Sequence, residues 1–115
     1  MKRWLMIPMV LFGMAYPKQA RLNYDVAELK VYDVPFKTQY SERILLHKPM
    51  DQAGLKHLLN GLFDAAMRGS YKYHNPPTHI FIYIYNSKAD LNRDGSSWVG
   101  MISRTMDKNE GIQLK

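Results

Sequence analysis

Seven consecutive residues, His79-Ile80-Phe81-Ile82-Tyr83-Ile84-Tyr85, constrain this chain more than any other stretch. A period of two puts Ile80, Ile82 and Ile84 on one side of a strand and His79, Phe81, Tyr83 and Tyr85 on the other. β-Branched and aromatic side chains in this pattern favour extended backbone. Neither side is polar, so the strand is expected in the interior of a sheet, with a neighbour along each edge.

The second strong signal has a different period. Leu55, Leu58, Leu59, Leu62, Phe63 and Ala66 recur at i, i+3, i+4, i+7, i+8 and i+11, one stripe along an α-helix over residues 51–68. Asp51 is a suitable N-cap, and Gly69 is placed to close the helix in a left-handed conformation. Asp64 and Arg68 are spaced for an i, i+4 ion pair. Gly54 and Gly61 each weaken the helix by roughly 1 kcal/mol relative to Ala, so packing of the stripe must outweigh them.

Weaker strand patterns surround these two. Residues 24–32 alternate with Asp25, Ala27, Leu29 and Val31 on the more apolar side, and Pro35 ends the run or confines it to an edge. Residues 37–42 are polar and read as a connection, and Arg43 to His47 as a second strand. Residues 70–78, with Asn75-Pro76-Pro77, form a stiff turn, and 86–97 a polar loop. Trp98 to Ser103 reads as a further strand, and 111–115 as a short last one. The order predicts an α+β domain: one mostly antiparallel sheet of about four to five strands, packed by the single amphipathic helix.

The chain has 115 residues, a formal charge of +6 and no cysteine. That length is one domain's worth. Without cysteine there is no disulfide scaffold, thiolate zinc site or thiol nucleophile.

The first residues are of another kind. Lys2 and Arg3 precede an apolar run from Trp4 to Tyr16, and Gly13-Met14-Ala15 puts small side chains at −3 and −1 of a cleavage point. This is the layout of a secretory signal peptide cleaved after Ala15, leaving 16–115 as a single α+β domain. Cleavage after Ala20 would put Lys18 at −3. Two rival readings are an uncleaved anchor, which is short of the ~20 apolar residues a span needs and is interrupted by Pro8, and a core element of a cytoplasmic protein. Cleavage would remove Lys2 and Arg3 and take the charge from +6 to +4, a thin excess for nucleic acid.

Few residues suggest chemistry. Asp90-Leu91-Asn92-Arg93-Asp94-Gly95 matches the opening of a calcium loop, but the twelfth position, where a bidentate Glu belongs, is Met101. The four histidines, His47, His57, His74 and His79, lack metal-site spacing, and no nucleophile elbow or phosphate loop occurs. No catalytic residue, metal or cofactor is expected. A ligand or partner surface is expected at Tyr83, Tyr85 and Trp98 with Asp90, Asn92 and Asp94, provided the Phe81–Tyr83–Tyr85 row is open rather than packed under a second layer.

The Thr78–Tyr85 strand followed, after a polar loop, by Trp98-Val99-Gly100-Met101-Ile102-Ser103 resembles a group of small bacterial exported α+β domains of unknown function. The likeness covers about residues 43–115. It implies the same fold and a bacterial source; those domains have no assigned reaction, so it implies no residue roles.

These readings lead to an exported, non-enzymatic binding domain, periplasmic or secreted, whose partner is a protein or an envelope ligand. No membrane span is expected in the mature chain, and nucleic acid is not expected as a partner if the domain is exported. The alternative is a cytoplasmic nucleic-acid-binding module using the aromatic sheet face and the positive charge.

Overall fold

The computed structural model describes residues 23–93 and 96–115, so the segment read as a signal peptide, and Asp94, lie outside the described residues. The elements are β1 (Tyr24–Val34), β2 (Lys37–Leu46), α1 (Gln52–Arg68), β3 (His79–Tyr85), α2 (Lys88–Asn92), β4 (Gly100–Thr105) and β5 (Lys108–Leu114). The five strands form one sheet in sequence order. β3 is the middle strand, as its two apolar faces demand. Only β2 and β3 run parallel, because α1 carries the chain back along the sheet between them; the other pairings are antiparallel. The fold is α+β with a mostly antiparallel sheet.

α1 forms as its stripe predicts. The Asp51 carboxylate accepts the N–H of Gly54 at 2.8 Å and caps the helix. Leu55, Leu59, Phe63 and Ala66 are buried against Ile80, Ile82, Ile84, Ile44 and Ile102 of the sheet, while Leu58 and Leu62 flank the core half-buried. The helix lies over β3, β4 and β5. It does not extend over the same face of β1, where among the described residues Val26, Leu29 and Val31 are exposed.

Several local expectations are corrected. Residues 37–42 are no connection but the first half of β2: Thr38 and Glu42 point to the helix side and are buried, and Gln39 and Ser41 face the other way. The connection is the two-residue turn Pro35–Phe36, for which the fixed φ of proline is suited. In β1 a bulge between Val26 and Glu28 resets the alternation. Tyr24 and Val26 therefore share the helix side with Leu29 and Val31, and Glu28, Lys30 and Tyr32 share the opposite one.

Gly69 ends α1 at φ −66° and ψ 169°, extended rather than left-handed. Its N–H turns back to the Ala66 carbonyl at 3.4 Å, so the left-handed turn is not required. Asp64 and Arg68 both point to solvent without reaching ion-pair distance. Trp98 and Val99 precede β4 instead of opening it, and β4 runs on to Thr105 because the Met106–Asp107 hairpin turn lies later than expected; β5 accordingly begins at Lys108. The polar loop after β3 contains α2, capped by Ser87, whose Oγ accepts from Asp90 N at 3.1 Å. Among the described residues, no helix is long and apolar enough to cross a membrane.

Candidate functional site

The sheet has α1 on one face only. On the other lie His79, Phe81, Tyr83 and Tyr85 of β3, flanked by Ser41, Arg43 and Leu45 of β2 and by Met101 and Ser103 of β4. Apart from α2 and its flanking loop at one end, no element crosses this face among the described residues. Phe81 and Tyr83 are accordingly half-buried, with neighbouring side chains beside them and, among the described residues, no second layer above.

Tyr83 and Trp98 come together, their ring centroids 6.4 Å apart and tilted by 45°. Lys115 Nζ stands 4.2 Å from the Trp98 ring centroid and donates to the Ser96 carbonyl, so Lys115 borders the aromatic pair. Burial raises the Tyr83 phenol above its ordinary value, with Tyr85 adding to the effect, so it stays a neutral hydroxyl donor at neutral pH.

Tyr85 does not join this surface. It is buried, with the Arg43 guanidinium 5.0 Å from its ring centroid. Arg43 is held there by donating to the Leu91 carbonyl at 2.5 Å and to Glu28 Oε1 at 3.4 Å. Asp90 is half-buried, with Oδ1 3.1 Å from Arg93 Nη1, and Asn92 is exposed at the end of α2. Helical backbone over 88–92 sends these side chains round a turn rather than towards one cation. Among the described residues no cluster of three or more His, Asp or Glu could hold a metal ion.

Charge on the open face is mixed. Glu28 pairs with Lys30 at 3.2 Å as well as with Arg43, and hydrogen bonds from Lys30 and then Arg43 hold its carboxyl below the usual range. Glu110 accepts from Ser103 Oγ at 3.1 Å and from Thr105 Oγ1 at 2.8 Å. Acids interleaved with Arg43, Lys30 and Lys115 make this a mixed polar rim round an aromatic centre rather than a basic track.

Two further arrangements were not legible as sites in the sequence. On the helix side, the uncovered strip of β1 and β2 and the flank of α1 bound a groove of about 950 Å³, lined among others by Val26, Leu58, Leu62 and Tyr40. Glu42 lies in it, 4% exposed, accepting from Tyr40 Oη at 3.2 Å; burial raises its carboxyl above the ordinary range.

At the end of the sheet, Asp33, Thr38 and His74 form a chain that superficially suggests a catalytic triad. Thr38 Oγ1 donates to Asp33 Oδ1 at 2.8 Å, so at 2.9 Å it accepts from His74 Nδ1–H. The hydroxyl therefore sits between acid and ring, where histidine cannot relay its proton, and Thr38 is fully buried. Thr78 repeats the pattern: its Oγ1 accepts from Thr38 N and donates to Thr38 O, both at 3.1 Å, and takes His79 Nδ1–H at 2.8 Å. These hydroxyls tie strands and loops together. No sequence spacing signals them, since Thr38 and Thr78 are 40 residues apart.

No family model, curated protein or solved structure matches this chain.

Proposed function

We propose that this is a small exported, non-enzymatic binding domain of the bacterial envelope, working in the periplasm or outside the cell. Its partner, a protein or an envelope ligand, docks on the open sheet face around Phe81, Tyr83 and Trp98. The observation carrying the reading is the half-buried Tyr83–Trp98 pair on a sheet face that α1 does not cover. Rigid aromatic rings with a polar rim are what binding hot spots are made of. The basic start followed by the apolar run Trp4 to Tyr16 supports export.

The test has two parts. Intact mass of the protein from fractionated host cells should give a periplasmic or secreted species beginning at Tyr16. A photo-crosslinking residue at position 83 should then form adducts in that fraction, whereas the same residue at Lys56, exposed on α1, should form none. Replacing Trp98 by Ala should weaken capture by about 2 kcal/mol, roughly thirtyfold. A full-length cytoplasmic species overturns export, and equal crosslinking at 83 and 56 overturns the surface.

The Phe81–Tyr83 row beside Arg43 favours a second reading, a cytoplasmic module stacking single-stranded nucleic acid on the sheet. Its signature is affinity that falls steeply with salt. Glu28 and Glu110 on the same face weigh against it.

A further inference from the structure

The end of the sheet remote from Asn23 carries features that neither the core nor the open face uses. Three connections meet there: the Pro35–Phe36 turn, residues 69–78 between α1 and β3, and the Met106–Asp107 turn. They are fastened to one another. Asp33 accepts the backbone N–H groups of Lys72 and Tyr73 at 2.7 and 3.2 Å. Asp107 N donates to Thr78 O at 3.0 Å, and the buried Arg104 donates through Nε to Pro77 O at 2.9 Å.

On this frame Phe36 and Met106 stand out, 75% and 76% exposed, with Tyr73 41% exposed in the connection beside them. Folding gains little burial from either side chain. Met106 also sits at φ +51°, a turn position that favours Asn or Gly and strains an ordinary side chain. A local choice that costs stability points to a use outside the fold. Lysines border all three apolar groups: Lys37 follows Phe36, Lys72 precedes Tyr73 and Lys108 follows Asp107. Of the nearby acids, Asp33 is engaged by the loop amides, while Asp107, its side chain 68% exposed, lies 3.4 Å from Arg104 Nη2.

We propose that this end of the domain is a membrane-contact surface, with Phe36, Met106 and Tyr73 entering the headgroup region of an anionic bilayer while Lys37, Lys72 and Lys108 meet lipid phosphates. The two hairpin turns are three strand spacings apart, about 14 Å. That separation suits a surface that accepts several isolated prongs better than one continuous apolar pocket. Interfacial burial of apolar side chains combined with cations against anionic lipid gives reversible attachment of this kind. The surface lies at the end of the sheet, and β1, 11 residues long, holds it about 35 Å from Asn23.

The test is flotation of the full chain with two kinds of vesicle, phosphatidylcholine alone and phosphatidylcholine with about 30% phosphatidylglycerol. Binding is expected to be stronger to the anionic vesicles, and the excess should fall as salt is raised. Phe36→Ser with Met106→Asn should weaken it about tenfold or more. Lys37→Gln, Lys72→Gln and Lys108→Gln should each weaken it about fivefold at low salt. Residues 4–16 are present in every variant, so attachment through them would survive the turn substitutions, and that result overturns the proposal. Equal binding to neutral vesicles, or none to either kind, overturns it too, as does a dimer lost in the double variant without vesicle binding. Both turn substitutions lie at exposed positions, and Asn suits the φ of Met106, so unfolding no easier than the parent's is expected alongside.

Discussion

Asp33 Oδ2 lies 2.7 Å from the backbone nitrogen of Lys72, 39 residues further along the chain. With Tyr73 N–H and the Thr38 hydroxyl on its other oxygen, this carboxylate clasps the end of β1 to the loop that follows α1. The Lys72 N–H chiefly holds the carboxyl below the usual aspartate range, helped by Thr38, Tyr73 and the nearby His74 against the opposing effect of burial. A depressed folded-state value means that the clasp contributes fully above about pH 4 and is lost as pH falls through that lower value. Asp33→Asn should therefore flatten the acid limb of stability against pH, followed by thermal unfolding. Hydrogen exchange at Lys72 and Tyr73 should speed up at neutral pH while the α1 amides keep their protection.

Glu42 has the opposite sign. Burial raises its carboxyl, and the Tyr40 hydroxyl offsets only part of that. Below the ordinary glutamate value the group is neutral in both folded and unfolded chains and costs nothing. As pH rises the unfolded chain ionises first, so stability declines until the folded-state value is passed. Glu42→Gln keeps an acceptor for Tyr40 and removes the ionisation. The variant should be more stable than the parent at pH 7, by about 1.4 kcal/mol for each pH unit by which the carboxyl is raised. Urea unfolding at acid and neutral pH checks this; a variant no more stable at neutral pH would show that the groove solvates the carboxylate.

Legibility in the sequence followed the range of the forces involved. α1 could be read because its stripe and its Asp51 cap are local, and β3 because its two faces are written in seven adjacent residues. The polar start of β2 could not, since Thr38 is made buriable by Thr78 and His74, about 40 positions away. The bulge in β1 inverted an alternation whose residues were otherwise well suited to a strand. Of the three aromatic candidates, Tyr83 and Trp98 meet, whereas Tyr85 is covered by Arg43 and the α2 loop, which sequence spacing places nowhere near it. Phe36 and Met106 became one surface only once the strand order set both hairpin tips at the same end.

Gly69 is required for space rather than for backbone freedom. A Cβ there would stand 2.7 Å from the Tyr71 hydroxyl oxygen and 3.0 Å from Cζ. That hydroxyl donates to the Ala66 carbonyl at 2.7 Å and satisfies one of the last acceptors of α1. Gly69→Ala should displace the ring, break the bond and destabilise by about 1 kcal/mol. In a Tyr71→Ala background the obstacle is gone, and the same substitution should stabilise by about 0.5 kcal/mol by restricting the unfolded chain. Denaturant midpoints of the four proteins measure the change of sign.

Met106→Asn separates folding from surface use. At φ +51° the side chain is 76% exposed and buries almost nothing, so its removal sacrifices little packing. Asn enters the left-handed region more readily than Met, and with Asp107 at φ +68° it completes a turn of the kind hairpins favour. Arg104 still reaches Asp107 and Asn109, so the rest of the hairpin is undisturbed. The variant should gain about 0.5–1 kcal/mol in urea unfolding while binding anionic vesicles less well than its parent. A gain in stability with unchanged vesicle binding would leave Met106 a strained turn residue and nothing more; a loss of stability would mean that its side chain packs within the hairpin after all.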